Sequence, residues 1–199
     1  AQIDVVEPSA DARERLQTHL GVTARAESGT FLSEAGIVIW AVKPQSFKEA
    51  AVQSRIHTLD ALHISVAAGI PSSSIAKWLG NERVIRTMPN TPALIGKGIT
   101  GLFARPAVTA ADRQHAERVV SGMGQFLWLD NESQLDAVTA ISGSGPAYMF
   151  YFMESMTAAG AEMGLDREQA YRLAVATFIG AGELAHSSNE PPEILRQRV

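Results

Sequence analysis

The stretch Gly36-Ile37-Val38-Ile39-Trp40-Ala41-Val42 is apolar throughout and lacks the alternation of a half-exposed strand. A strand buried on both faces reads this way, as in a parallel sheet covered by helices. Working outward from it, further β-rich runs fall at residues 3–6, 62–66 and 83–86. Helical patterns separate them at residues 10–20, 46–56 and 72–79. Strand and helix alternating at this spacing predict an α/β domain with crossover helices. Local signals support the helix bounds. Ser9 stands before Ala10-Asp11 as a cap, Gly21 follows Leu20 as a terminating glycine, and Thr109 precedes Ala110-Ala111-Asp112 as a second cap.

Beyond about Asn131 the pattern becomes helical. A short helix is expected at residues 134–140, a long one at 146–163 and another at 167–186. Pro191-Pro192 opens a last one at 193–199. This predicts two domains, residues 1–130 and 131–199. The helix at 146–163 carries Tyr148, Phe150, Tyr151 and Phe152 and is apolar nearly all round. A helix of that kind must be covered on every side, and a domain of about 70 residues cannot easily do so alone. A second copy of the chain is therefore expected over it, as an intertwined homodimer. On the helix at 167–186, Ala170, Leu173, Ala174, Thr177, Phe178 and Ala181 form one apolar stripe.

Composition limits the function. The 199 residues include 46% hydrophobic and 19% charged residues, with a formal net charge of −4. That balance is ordinary for a globular protein and points to neither a nucleic-acid nor a membrane surface. There is no cysteine, so thiol chemistry and disulfides are excluded, and a reducing cytoplasm fits. No apolar run approaches membrane-spanning length, and the first residues do not read as a signal peptide. The five histidines lack metal-ligand spacing, so no metal is expected. His19 and His115 are expected at the surface, and the methionines as core filler.

In an open parallel sheet, ligands bind beyond the carboxyl ends of the strands. Four segments should share that edge: Glu7-Pro8-Ser9, Ala41-Val42-Lys43-Pro44-Gln45, Ala67-Ala68-Gly69 and Met88-Pro89-Asn90-Thr91-Pro92. An acid such as Glu7 at a strand end can accept hydrogen bonds from ribose hydroxyls. Otherwise it is a solvated turn acid. Lys43 could approach a phosphate or carboxylate, or be an exposed loop lysine. Gly69 lets a backbone approach a ligand, or simply turns the chain. Ser142-Gly143-Ser144-Gly145-Pro146 presents hydroxyls and amides at the start of the long helix, a place suited to a carboxylate. It lacks the spacing of a nucleophile elbow.

Taken in order, Ala41-Val-Lys-Pro-Gln45, Ile64-Ser-Val-Ala-Ala-Gly-Ile70, Arg86-Thr-Met-Pro-Asn-Thr-Pro-Ala93, Asp136-Ala-Val-Thr-Ala140 and Ser142-Gly-Ser-Gly-Pro-Ala-Tyr148 resemble the pyrroline-5-carboxylate reductases over the whole chain. The resemblance implies a Rossmann-like NAD(P)-binding domain followed by an all-α dimerisation domain, with five dimers forming a decamer in several members. It implies reduction of the cyclic imine 1-pyrroline-5-carboxylate to L-proline with NAD(P)H, the last step of proline biosynthesis. Carried over residue by residue, Glu7, Ser28, Ala41, Val42, Lys43, Pro44, Val66, Ala67 and Ala68 would bind the cofactor. Met88, Asn90, Thr91, Ser142, Gly143, Ser144, Gly145 and Pro146 would bind the substrate, with Glu190 contributed across the dimer. No residue is singled out as catalytic.

Two departures accompany the resemblance. The family's first strand and Gly-x-Gly-x-x-Ala loop are expected before Ala1, and its substrate-carboxylate loop after Val199. Asparagine often stands near Ser28 in the family, and small or basic residues often stand at Glu7 in NADP-preferring members, which points to NAD here. The alternatives are another hydroxyacid or imine dehydrogenase of the same architecture and a non-catalytic dimeric scaffold. The first usually carries a lysine on the long helix, where this chain offers only Glu154 and Glu162.

Overall fold

The computed structural model describes residues 2–199. The chain divides into two compact units, Ala1–Gly143 and Ser144–Val199. Within the first, β1 (Val5–Val6), α1 (Ala10–Leu20) and β2 (Ala24–Arg25) form a small parallel pair. Then follow β3 (Ile37–Trp40), α2 (Pro44–Ser54), β4 (Leu62–Ser65), α3 (Ser72–Leu79) and β5 (Val84–Met88). After these come β6 (Gly98–Ala104), α4 (Ala110–Ser121), β7 (Gly124–Trp128) and α5 (Gln134–Val138). Strands β3 to β7 form one sheet in chain order. It is parallel except for the antiparallel β5–β6 pair.

The expected alternation of strand and helix is present, and the capping residues do what their types suggest. The Ser9 hydroxyl accepts from the Ala12 amide, and Gly21 takes a left-handed φ of 65°. Thr109 and Asp112 form a reciprocal capping box on α4. Helix α2 begins earlier than its apolar pattern suggests, because Pro44 at the first helical position has a suitable φ and no amide to satisfy.

The opening strand differs from expectation. β3 is not buried on both faces: Trp40 is buried, but Ile39 is 50% exposed. The physical reason is coverage: Trp40 faces the core of α2 and α3, whereas among the described residues nothing covers the Ile39 side chain. The strand buried at every residue is β4, Leu62-His63-Ile64-Ser65, although it contains a histidine and a serine. One apolar core packs α2 and α3 through Phe47, Ala51, Ile75 and Leu79. Another packs Leu62, Ile64, Ile85 and Leu102 with Ala116 and Val120 of α4.

Strands β6 and β7 meet at two glycines. A Cβ on Gly124 would lie 2.2 Å from the Gly98 carbonyl oxygen, and Gly124 has φ 130°. No side chain fits there.

The second unit contains α6 (Gly145–Glu162), α7 (Arg167–Ser187) and α8 (Pro192–Gln197). Helices α6 and α7 approach closely at Gly160, where an added Cβ would stand 2.9 Å from the Ala170 Cβ. The Phe152 and Phe178 rings pack at 6.4 Å. Two expectations are corrected here. Of the stripe on α7, only Ala170 and Ala174 are buried, where α6 and α7 approach closely; Leu173 is 57% exposed. Three of the six methionines are not core filler either: Met149, Met156 and Met163 are exposed, since one neighbouring helix cannot cover them, whereas Met123 packs against the core. Tyr148, Phe150, Tyr151 and Phe152 are likewise exposed. Among the described residues, no helix is long and apolar enough to cross a membrane.

Candidate functional site

Because β3, β4 and β5 are parallel, their carboxyl ends share one edge. The segments 41–44, 66–69 and 88–91 leave from that edge. Ala41 and Lys43 are exposed and Val42 and Pro44 follow them into α2. Val66 donates its amide to the Trp40 carbonyl at 3.2 Å, and Ala67 donates to the Ser65 hydroxyl at 3.2 Å, so the two segments lie side by side. Ala67 is buried, Ala68 is exposed, and Gly69 turns the chain with φ 75°. Among the described residues, no ion-pair partner faces Lys43.

Among the described residues β1 pairs with β2 and not with the larger sheet, so strand pairing does not tie Glu7 to that edge. Its carboxylate accepts from the Ser9 amide at 2.8 Å, at the start of α1. The Arg13 guanidinium donates to the Glu7 and Pro8 carbonyls. Ser28 is half-buried in the turn beyond β2, between Arg25 and Phe31, whose guanidinium and ring stack at 3.9 Å.

The end of β5 meets the serine–glycine segment. Thr139–Gly143 is a π-helical turn that continues α5. A Cβ on Gly143 would lie 2.7 Å from the Met88 ε-methyl, so the two residues are in close contact. Met88 pairs in register with Gly101 of β6, and Gly101 in turn admits the Val138 methyls, which would stand 3.0 Å from a Cβ there. Met88, Gly101, Val138 and Gly143 thus form one packed contact. Next to it an apolar groove of about 330 Å³ is lined by Ile99, Leu127, Ile141 and Ser142 among others.

The serine–glycine segment is not the free loop expected from its composition. The Ser142 hydroxyl donates to the Val138 carbonyl at 3.0 Å, and Thr139 donates likewise to Leu135 at 2.8 Å. Ser144 is a bend in helical φ/ψ with no side-chain capping bond, and Gly145 and Pro146 begin α6. A helix that runs nearly into the next offers fewer unsatisfied amides than a helix starting from a loop.

Asn90 also has a structural duty: its Oδ1 accepts the Ile99 amide at 3.0 Å and closes the β5–β6 connection. Thr91 is exposed at the start of that connection. In the second unit, Glu190 is bound by Arg198 in a two-pronged pair at 2.5 Å.

Three residues that the sequence reading did not assign to the site stand out. Glu132 accepts from the Ser72 amide, the Ser72 hydroxyl and the Arg86 guanidinium, each at 2.6 Å. Burial opposes its ionisation. The bonds from Ser72 and Arg86 outweigh burial and hold the carboxyl below the usual glutamate range. Glu132 and Ser72 lie outside the quoted runs, and Arg86 opens one without a stated role, so only the folded contact reveals what the three do. Among the described residues, no cluster of three or more histidines or acids could hold a metal.

A parallel α/β unit with small-residue segments at its carboxyl edge, followed by a helical unit with an open aromatic face, is the architecture of a nucleotide-dependent oxidoreductase with an assembling helical domain. Residues 132–199 match the family model described as pyrroline-5-carboxylate reductase dimerisation. A pyrroline-5-carboxylate reductase of Pseudomonas aeruginosa is 44% identical over 100% of this chain and 74% of its own. The solved reductase of Coxiella burnetii superposes with a TM-score of 0.88 at 33% identity, over 98% of this chain and 73% of that one. The Plasmodium falciparum enzyme, solved with NADP bound, gives 0.84 at 27% identity, over 91% and 69%. The chain belongs to the pyrroline-5-carboxylate reductase family.

Proposed function

We propose that the protein reduces 1-pyrroline-5-carboxylate to L-proline with NAD(P)H. The observation that carries this reading is the 44% identity to a curated pyrroline-5-carboxylate reductase across the whole chain. The geometry is compatible with it. Ala41 and Ala68 are small and exposed at the carboxyl edge, and the contact of Met88 with Gly143 joins strand end and serine–glycine turn. The reduced nicotinamide supplies the hydride to the imine carbon, while a proton reaches the ring nitrogen. The chain's part is to position and polarise.

On this reading Glu7, Ser28, residues 41–44 and residues 66–68 hold the cofactor. Met88, Asn90, Thr91, Ser142, Gly143, Ser144, Gly145, Pro146 and Glu190 hold the substrate. With its Oδ1 committed to Ile99, Asn90 has its amide NH2 left for a ligand acceptor. Glu7 accepts ribose hydroxyls and repels a 2′-phosphate, which favours NADH. Helices α6 and α7 bury their exposed aromatic and methionine residues against a second copy. The match to a dimerisation model and the open Tyr148, Phe150, Tyr151 and Phe152 support this. Five such dimers could then assemble, and light scattering distinguishes dimer from decamer. A cytoplasmic setting belongs to the same reading, since the reaction draws on the soluble nicotinamide pool.

The test is loss of reduced-nicotinamide absorbance on adding 1-pyrroline-5-carboxylate to the protein at its natural length, with chiral analysis of the product. L-Proline formed at enzymatic rates supports the assignment, and no turnover with either cofactor rejects it. In the same assay, Glu7→Ser should raise kcat/KM for NADPH relative to NADH.

A further inference from the structure

One carboxylate binds residues next to two of the segments around the proposed site and lies just before a third. Glu132 precedes α5 and the π turn that carries Ser142 and Gly143. Its Oε1 and Oε2 receive the Ser72 amide and hydroxyl, and Ser72 opens α3 immediately after the turn at residues 67–70. Its Oε1 also receives Arg86 of β5, two residues before Met88. Arg105, at the end of β6, adds a longer contact to the Ser72 hydroxyl at 3.3 Å and pairs with Glu82. Ser72 is 1% exposed, and the Arg86 side chain 11%.

We propose that Glu132 is a positioning residue: with Arg86 and Ser72 it fixes the turn of residues 66–69, the end of β5 and the π turn relative to one another. This rests on the function proposed above. Segment β5 and the α5–π segment then touch at two places. The ionic contact is at Arg86–Glu132 and the packed contact at Met88–Gly143. Two contacts fix an orientation that a single contact leaves free to pivot. Hydride transfer is sensitive to displacements of an ångström between donor and acceptor, so loosening the ionic contact acts on turnover. Cofactor affinity falls less than turnover, because Glu7 and residues 41–44 share it with residues 66–68 and, among the described residues, make no contact with Glu132.

The conservative probe is Glu132→Gln, which keeps shape but puts an amide donor among donors. Arg86→Gln and the double variant complete a cycle. Arg86→Lys serves if Glu132→Gln does not fold, because it keeps the charge and replaces the planar guanidinium that reaches Glu132 with a shorter-reaching ammonium. The expected result is a kcat at least five-fold lower for each single variant and NADH KM within two-fold. The double variant should be no worse than the poorer single one. Rates are taken per folded molecule, from the far-ultraviolet signal and Tm. Under a merely structural role, Tm falls but kcat per folded molecule does not. That outcome, or losses that multiply in the double variant, overturns the proposal. Wild-type protein in the same assay separates the two claims. An inactive wild type rejects the function, whereas an active wild type with unaffected variants rejects the positioning role alone.

Discussion

The Trp40 indole donates its Nε1 hydrogen to Nδ1 of His63 at 3.0 Å inside the sheet. The other ring nitrogen, Nε2, faces the Thr58 carbonyl at 3.1 Å, so it carries the hydrogen. The pair therefore fixes one neutral tautomer. Burial is the main cause that lowers the imidazole from 6.5 to about 4; the bond to Thr58 opposes it and the Arg83 charge adds to it. A protonated ring would lose its acceptor and leave Trp40 unpaired.

His63 thus makes stability pH-dependent in a definite window. Its folded pKa lies below the unfolded one, so between 6.5 and about 4 the unfolded chain binds the proton and the folded chain does not. The contribution is complete above 6.5 and declines as pH falls, by about 3 kcal/mol at most. Urea midpoints for wild type and His63→Gln at pH 7 and 5 should show a smaller acid loss in the variant. Equal slopes would assign the acid loss to other groups.

Asp112 binds Arg83 through both oxygens, at 2.7 and 3.2 Å, while closing the capping box of α4 with Thr109. The Arg83 bond, against burial and together with Thr109, lowers the carboxyl from 3.8 to about 2. This stability is present above 3.8 and lost as pH falls towards 2. Asp112→Asn should cost on the order of 2 kcal/mol at pH 7, less than a fully buried pair because Arg83 is partly exposed. Chemical denaturation at pH 7 measures it, and a loss under half that size would mean that the cap and the ion pair are dispensable.

On β6, Thr100 buries its hydroxyl with no hydrogen-bond partner among the described residues. Valine has nearly the same shape and no group to desolvate. Thr100→Val should leave Tm unchanged or raise it, with a gain of about 1 kcal/mol as the upper expectation. A marked fall in Tm would show that a water or a moving neighbour satisfies the hydroxyl.

Two glycines with positive φ should respond differently to alanine. Gly124 has no room for a Cβ, which would strike Gly98 backbone atoms at 2.2 and 2.6 Å. Gly21 has φ 65° and nothing within 4 Å. Gly21→Ala should cost about 1 kcal/mol, the left-handed penalty alone. Gly124→Ala should cost well over about 3 kcal/mol, since backbone must move. Thermal unfolding of the two variants side by side would expose a wrong ordering.

What the sequence disclosed follows from which interactions are local. Caps at Ser9, Thr109 and Gly21 depend on three or four neighbours, so they can be read directly. The ends of the parallel strands also follow from the alternation. Strand β6 is harder to read, because Gly98 and Gly101 interrupt its apolar pattern; both are required by close approaches to residues distant in sequence. Strand β1 is two residues long and leaves almost no pattern. For Ile39, composition cannot reveal which face of its strand is covered. For Glu132, its partners Ser72 and Arg86 lie 60 and 46 residues away, beyond any spacing rule. The serine–glycine run reads as a loop because its residue types suit one. In the fold, Thr139 and Ser142 spend their hydroxyls on carbonyls four residues earlier.

That π turn has a consequence for how the site is encoded. A π turn is an α-helix with a surplus residue, and each α-helical residue advances the chain by about 100°. The face that Ser142 and Gly143 present at Met88 is therefore offset by roughly that angle from where an unbroken α5 would have pointed them. The length of residues 139–143 sets the aim of the segment as much as their chemistry does. Deleting Ala140 would keep every side chain named in the site and still turn the segment away from Met88.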